Sequence, residues 1–580
     1  MVRMCPILLS LFLLCANPVS SAPEEVFVDR AKELGVSFVH ANGMSGHLYL
    51  PEVMGSGVAL FDYDNDGDLD ILFIQGGPLG PAASAAGASG PRLYRNDLSA
   101  RGGLRFTDVT AKSGLHAGAY GMGVAVGDFD NDGRPDLYIT ALGSNQLWHN
   151  NGPNASGQVT FADVTAKAGA DDPRWSVPAA FVDYDRDGWL DLFVGNYLKF
   201  SFDTHKPCHD AAGAPDYCGP VPSDAVPARL LHNLRNGTFE DVTVKAGITA
   251  AYGPALGVTT ADFNGDGYPD IYVADDETPN QLWINQKNGT FRDGALLAGA
   301  AVSGEGRPQA SMGVDAGDYD GNGSEDLVMS NLTGEGDTLY RNDGSGMFED
   351  ASLPVGLQTP SWKLTGFGLS WLDYDNDSWP DLLVVNGAVR KIQEQARAGD
   401  PLPLRQEKQL FHNLGNGRFE EVGKRSGTVF TIPMIGRGAA FGDLDNDGDT
   451  DVVVANNNGP AQVLINQIGN RRPWLGLRLI VTSQITGASQ PGQPGRDALG
   501  AVVELYRPGK PRLRRRAHTD GSYASANDPR VLFGLGDAPR VEKVVVRWPD
   551  GRIEEWKTVA VGAYTTLREG TGTAGQGSTR

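Results

Sequence analysis

The sequence predicts an all-β protein: a seven-bladed β-propeller over residues 24–470, closed by a strand from the N-terminus and followed by a small β domain at 471–568. Three observations carry this prediction. One nine-residue pattern, Asp-x-Asp/Asn-x-Asp/Asn-Gly-x-x-Asp, recurs seven times, beginning at Asp62, Asp128, Asp183, Asp262, Asp318, Asp373 and Asp443. Each copy stands between short Gly-rich or β-branched runs such as 121–126 and 137–139, so each is a loop joining two strands. Two more patterns follow each loop: an Asn two residues after an aromatic or aliphatic one (Asn96, Asn150, Asn233, Asn285, Asn342, Asn413, Asn466), then Phe-x-Asp/Glu at Phe106, Phe161, Phe239, Phe291, Phe348 and Phe419. The unit is four strands, repeated.

The elements follow in chain order. Arg3, an apolar run over 6–15 and the small residues Ser20, Ser21 and Ala22 predict a signal peptide at 1–22. Cleavage at Cys15 as a lipoprotein is the alternative, which Leu14 fits poorly. The seventh unit lacks its Phe-x-Asp strand, and an orphan copy stands at Phe27-Val28-Asp29 with Gly35 after it. The chain's start therefore completes the last sheet and leaves no open edge, which a linear array would not need. Insertions at 79–91, 199–226 and 388–407 all fall between the second and third strands of a unit, which places them on the face opposite the aspartate loops. After 470 the repeats stop. Strands are expected near 474–481, 501–507 and 541–548, as a separate domain, and the Gly/Thr/Ser-rich end at 569–580 reads as disordered.

Composition narrows the function. The 580 residues carry 76 Gly, 35 Pro and 40% hydrophobic residues, which suits a turn-rich globular protein. A net charge of −22 excludes a nucleic-acid binder, which needs a basic face. No stretch after the signal is long and apolar enough to span a membrane. Cys208 and Cys218 remain as one even pair in an exported chain, which points to a disulfide.

The aspartate loops have the chemistry of a hard-cation site. Carboxylates at positions 1, 3 and 5, a Gly at 6 for the sharp turn and an acid at 9 match oxygen ligation of calcium. The candidate ligands are Asp62, Asp64, Asp66 and Asp70 in the first loop; Asp128, Asp130, Asp132 and Asp136 in the second; and Asp183, Asp185, Asp187 and Asp191 in the third. The fourth offers Asp262, Asn264, Asp266 and Asp270, and the fifth Asp318, Asp320, Asn322 and Asp326. The sixth has Asp373, Asp375, Asp377 and Asp381, and the seventh Asp443, Asp445, Asp447 and Asp451. Several Ca2+ ions, up to seven, are expected. An EF-hand would place Glu at position 12, where this chain has Phe73, Ile139, Val194, Val273, Met329, Val384 and Val454. Asp, Asn and Gly also make ordinary turns, but seven copies with the same acid at position 9 exceed what a turn requires. The loops hold 28 aspartates, and the other 43 of the 71 acidic residues against 49 Lys and Arg leave the rest of the chain near neutral.

These loops resemble the FG-GAP (VCBS-type) repeats of integrin alpha-chain propellers in all seven units. Arg496–Gly500 with Ala501-Val502-Val503, Ser525-Ala526-Asn527-Asp528-Pro529-Arg530, Phe533-Gly534-Leu535-Gly536-Asp537 and Arg547-Trp548-Pro549-Asp550-Gly551 resemble an ASPIC/UnbV domain. Together the order resembles the cartilage-acidic-protein and UnbV-like secreted family. The resemblance implies an extracellular, calcium-bound propeller and no defined activity. Ser378 departs from the pattern, standing where the sixth loop expects Gly.

Other constellations leave alternatives open. His149, His232 and His412 precede the repeated Asn where other units have Arg95, Ile284, Arg341 and Ile465, an exchange that fits a strand face rather than catalysis. His205, Cys208, His209 and Cys218 suit zinc by residue type, against a disulfide with bystander histidines. Arg512, Arg514, Arg515 and Arg516 form a basic patch, read as a solvated strand face before a polyanion site. The function expected is an extracellular protein- or glycan-binding and adhesion module, its partner meeting the insertion face at Phe200, Tyr217, Arg390 and Lys391. The alternative is a polysaccharide-degrading enzyme using acids at the propeller's central channel.

Overall fold

The computed structural model describes residues 25–80, 90–116, 118–220, 224–482 and 495–575. The expected signal peptide at 1–22 lies outside them. Among the described residues no helix is long and apolar enough to cross a membrane.

The fold is all-β. Seven four-stranded antiparallel sheets stand among the described residues, each with an aspartate loop between its first and second strands. The second sheet shows the plan: Tyr120–Gly127, Asp136–Leu142, Gln146–Pro153 and Val159–Asp163. All eight residues of its first strand are buried, because neighbouring sheets cover both faces, which is why these strands read as continuous apolar and Gly runs instead of alternating. The first strand of each sheet lies against that of the next, and Val58–Phe61 lies against both Tyr120–Gly127 and Gly436–Gly442. Phe27–Asp29 pairs antiparallel with Gln462–Asn466 as the outer strand of the sheet that also contains Asp451–Asn456 and Gly436–Gly442.

The Phe-x-Asp pattern is an outer strand that caps a helical turn. In Phe106–Asp108 the Phe is buried and the Asp exposed, and Asp108 Oδ1 accepts from Thr110 N at 2.9 Å. The following Gly ends the turn in the left-handed region and approaches the next sheet's outer strand: a Cβ on Gly35 (φ 91°) would fall 2.7 Å from Phe106 O. Gly427 does the same against Phe27 O at 2.9 Å, so this outer contact passes from the sixth sheet to the strand at the chain's start.

Residues 474–574 form two further sheets. One joins Trp474–Thr482, Gly495–Asp497, Val531–Gly534 and Tyr564–Arg568, and the other Val502–Tyr506, Leu513–Arg516, Lys543–Arg547, Ile553–Trp556 and Thr573–Ala574. Leu475, Leu477, Val503, Phe533, Val546 and Trp548 make their shared core. The expected disorder from 569 gives way, as far as Gly575, to Thr573–Ala574 pairing with Glu554–Glu555; residues 576–580 lie outside the described ones.

This region is not separate. The segment Thr519–Asp528 leaves it and runs among the first strands of the seven sheets. Ala526 N donates to Val58 O, Leu60 N to Ala526 O, Val124 N to Ala524 O, Val314 N to Ser522 O, Gly521 N to Val258 O and Asp528 N to Phe441 O, at 3.0–3.1 Å. Tyr523 is fully buried, with its hydroxyl on Met54 O at 3.0 Å and its ring centroid 4.8 Å from that of Phe367. Within the segment Asp520 accepts from Thr260 N at 2.9 Å and pairs with His518.

Candidate metal centres

Each aspartate loop is folded by its own side chains. In the first, Asp62 Oδ1 accepts from Asp66 N at 2.9 Å, Asp62 Oδ2 from Gly67 N at 3.1 Å and Asp66 Oδ1 from Asp68 N at 3.0 Å. The position 1 carboxylate repeats its bond to the position 6 N–H in every loop, from Asp128, Asp183, Asp262, Asp318, Asp373 and Asp443. Position 4 is left-handed throughout, at Asn65, Asn131, Arg186, Gly265, Gly321, Asn376 and Asn446, as is position 6. Asn and Gly tolerate that backbone, which explains their recurrence. Ser378 adopts φ 89° where Gly stands elsewhere, keeps the bond to Asp373, and accepts from Arg507 Nη1 at 2.7 Å. The sixth loop therefore has the geometry of the others despite its departure.

Position 9 opens the second strand and is almost fully buried in all seven sheets. Asp70 Oδ2 accepts from Tyr63 N at 2.9 Å and Asp70 Oδ1 from Asn96 N at 2.7 Å. The same two bonds recur at Asp136, Asp191, Asp270, Asp326, Asp381 and Asp451.

The repeated Asn, which the sequence marks without a role, ties neighbouring loops together. Asn150 Nδ2 donates to Pro135 O of its own loop and to Tyr63 O of the previous one, at 3.2 and 2.9 Å. Asn233, Asn285, Asn342, Asn413 and Asn466 reach back in the same way to Phe129, Tyr184, Phe263, Tyr319 and Tyr374. Asn96 reaches Leu444 O, in the seventh loop, at 2.8 Å. Its strict recurrence was the only signal in the sequence.

The candidate ligands converge. Oxygens of Asp62, Asp64 and Asp66 lie within 4.8 Å of one another, as do those of Asp128, Asp130 and Asp136. Asp64 Oδ1, Asp130 Oδ1 and Asp445 Oδ1, all at position 3, and Asp318 Oδ1 at position 1 are buried acceptors without a donor. A buried carboxylate oxygen facing other carboxylates is costly unless a cation meets it. Burial, reinforced by neighbouring carboxylates, pushes Asp62 up to about 6, Asp128 to about 7 and Asp270 to about 8, the electrostatics that a divalent ion reverses. The fit is uneven: Asn264 Oδ1 accepts from Asp266 N, Asn322 turns its amide onto Asn342 O, and Asp320 pairs with Arg341 at 2.6 Å.

The histidine positions point at the loops, not into solvent. His149 Nε2 lies 3.0 Å from Asp130 Oδ2, His232 Nδ1 3.0 Å from Asp191 Oδ1 and His412 Nδ1 3.1 Å from Asp381 Oδ1. The C-terminal sheets cover the same face. Arg478 bridges Asp62 and Asp497 at 3.0 and 2.9 Å, and Tyr564 Oη donates to Asp443 Oδ2 at 3.0 Å. Arg514 and Arg516 pair with the buried Glu325 at 3.1 and 2.9 Å. The basic patch is thus not a solvated strand face, because its second and fourth arginines are fixed to the fifth loop.

On the opposite face Cys208 and Cys218 are disulfide-bonded, which removes the thiolates that zinc would need. Lys391 Nζ donates to Pro215 O at 2.8 Å and Gln393 Nε2 to Asp210 Oδ2 at 2.8 Å, joining the second insertion to the third. Tyr217, expected as a contact residue, is buried, with its hydroxyl 3.1 Å from Glu52 Oε2. Phe200 and Phe202 stack edge-to-face with Tyr49 beside the pair of insertions.

The family matches follow the repeats and the C-terminal sheets. FG-GAP-like repeats match at residues 62–139, 131–194, 213–273, 262–329, 318–384 and 405–454, and the family described as ASPIC and UnbV matches 491–574. The chain is homologous to cartilage acidic protein 1: it is 26% identical to the Homo sapiens protein over 601 residues, covering 98% of this chain and 78% of that one. The Mus musculus protein is 26% identical over 534 residues, covering 87% and 72%. Among solved structures, an Agrocybe aegerita lectin recognising non-reducing terminal N-acetylglucosamine gives a TM-score of 0.38 at 16% identity, covering 70% of this chain and 86% of that one.

Proposed function

Since the chain belongs to the FG-GAP-like repeat family and carries an ASPIC and UnbV region, we propose that it is an exported, calcium-binding, seven-bladed propeller that binds an extracellular protein or glycan. The observation that carries the calcium reading is the set of buried, donor-less carboxylate oxygens at Asp64, Asp130 and Asp445, the first two inside clusters of convergent aspartates. Closure of the seven blades is supported by the circular run of asparagine bonds, with Asn96 reaching Leu444 O. Export is supported by the disulfide.

The binding surface is the insertion face. Its two described insertions are cross-tied and disulfide-braced, and Phe200, Arg390 and Lys391 are exposed or half-exposed there. A rigid scaffold presenting braced loops suits recognition. Elemental analysis of purified protein should find several calcium ions per chain, and none would overturn the metal reading. Photo-crosslinkers at Arg390 and Phe200 should capture a partner from extracellular extracts. Labels confined to the C-terminal sheets would place the binding surface elsewhere.

A further inference from the structure

The C-terminal sheets and the fifth and sixth loops enclose a cavity of about 420 Å3. Its wall includes Trp379 from the sixth loop, the aspartates Asp318, Asp377 and Asp537, and a larger set of cations whose charges are unevenly matched. Arg472 pairs with Asp375 at 3.1 Å, Arg512 with Glu504 at 3.0 Å and Arg514 with Glu325 at 3.1 Å. Arg507 and Arg515 have no such partner.

Arg507 is 8% exposed, and its terminal nitrogens donate only to neutral acceptors, Ser378 Oγ, Leu535 O and Pro511 O, while its buried Nε has no acceptor. Arg515 donates Nη1 to Arg514 O at 2.9 Å, and its buried Nη2 has no acceptor. Among the described residues no carboxylate oxygen lies within 4.0 Å of either guanidinium. Burial holds both below the ordinary arginine range. Arg507, which is buried, and Arg515, which is half-buried, each lack a directly paired carboxylate, a cost that a bound anion lowers. The acids whose field reaches Arg515, Asp373, Asp318 and Asp381, are position 1 and position 9 residues of loops assigned to calcium, so a loaded loop withdraws their charge. The volume lies within the range of small-molecule sites and exceeds what an inorganic oxyanion needs.

We propose that this cavity binds an organic oxyanion of the size of an acidic saccharide residue, its carboxylate or sulfate group lying against Arg507 and Arg515, with Lys510 at the rim and Trp379 as an apolar wall. This site is distinct from the insertion face and depends on the calcium reading only through the charge of the loops.

Titration calorimetry on the calcium-loaded full chain, at matched ionic strength, uses sodium glucuronate, sodium sulfate and glucose as probes. Saturable glucuronate binding is expected, with sulfate weaker and glucose silent. The double variant Arg507→Gln/Arg515→Gln should bind glucuronate at least tenfold more weakly with unchanged calcium content. Lys510 is exposed, so Lys510→Gln folds normally and should weaken binding about threefold, which keeps the test decisive if the double variant unfolds. Glucuronate heats no larger than those of chloride, or affinities unchanged in these variants, would overturn the proposal. Sulfate matching glucuronate would overturn the saccharide size. Glucuronate binding by a protein that holds no calcium would retain this site and remove the calcium reading.

Discussion

The smallest unit that carries information here is the loop residue with a special backbone. Gly67 and Ser378 occupy the same position at φ 95° and 89°, yet one has no side chain and the other presents a hydroxyl oxygen that accepts from Arg507. Gly67→Ser meets no steric obstacle, so its cost is conformational, about 1–2 kcal/mol. Ser378→Gly relieves the same strain but forfeits one hydrogen bond of about 1 kcal/mol, so it should leave stability nearly unchanged. Urea unfolding of both variants in calcium measures the difference. The ring asparagines should be far less tolerant. Asn342 serves Phe263 O, Glu325 O and Gly344 N from a buried side chain; Asn342→Ala strips all three and leaves buried carbonyls unpaired, at about 2–4 kcal/mol by the same denaturation. The aspartate pattern made the candidate ligands legible from sequence. The role of Asn342 was not, because its partners lie 79 and 17 residues away and one is in another sheet.

At the level of elements, the strand Phe27–Asp29 does what the orphan motif suggested. It is three residues long, but Phe27 is fully buried among Leu464, Phe430 and Val452, and Asp29 accepts from Val463 N and Gln462 Nε2. Deleting residues 25–29 would bare the edge of Gln462–Asn466 and an apolar patch beneath it. Light scattering should show self-association of the truncated protein at concentrations where the parent is monodisperse, and a monomer of parental melting temperature would contradict the pairing. The C-terminal strands at 474–481, 501–507 and 541–548 were legible from β-branched runs, and they occur as Trp474–Thr482, Val502–Tyr506 and Lys543–Arg547. Their contact with the seven sheets was not legible, since Thr519–Asp528 carries no periodicity that marks it as buried.

For the whole molecule the dominant force to explain is the clustering of carboxylates. In the cation-free fold, burial raises Asp62, Asp183, Asp318 and Asp443 to about 6 and Asp128 to about 7. A carboxylate whose folded pKa is raised lends stability that is complete below its unfolded pKa near 4 and is lost as pH rises through the folded value. The chelated protein should therefore lose stability as pH rises from about 4 to about 7. Calcium replaces the missing protons, so its effect on melting should be larger at pH 8 than at pH 5.5. Calorimetry with and without chelator at the two pH values gives the comparison, and an equal or absent chelator effect at both would contradict the metal assignment.

The sequence by itself determined the all-β class, the seven aspartate loops with the order of their carboxylates, the strand borrowed from the N-terminus and the Cys208–Cys218 pair. Each of these is written in local spacing: a loop that turns on its own carboxylates, or a motif that repeats, needs no knowledge of what lies across the molecule. Only the tertiary structure decided where Arg478, Arg514, Arg516 and Tyr564 end up, because their partners Asp62, Glu325 and Asp443 are far away in the chain. The same holds for Tyr523, whose neighbours Met54 and Phe367 belong to different sheets. Charge and apolarity announce that a side chain needs a partner. Which partner it meets depends on how the sheets are set against one another, and a single sequence does not encode that in any local pattern.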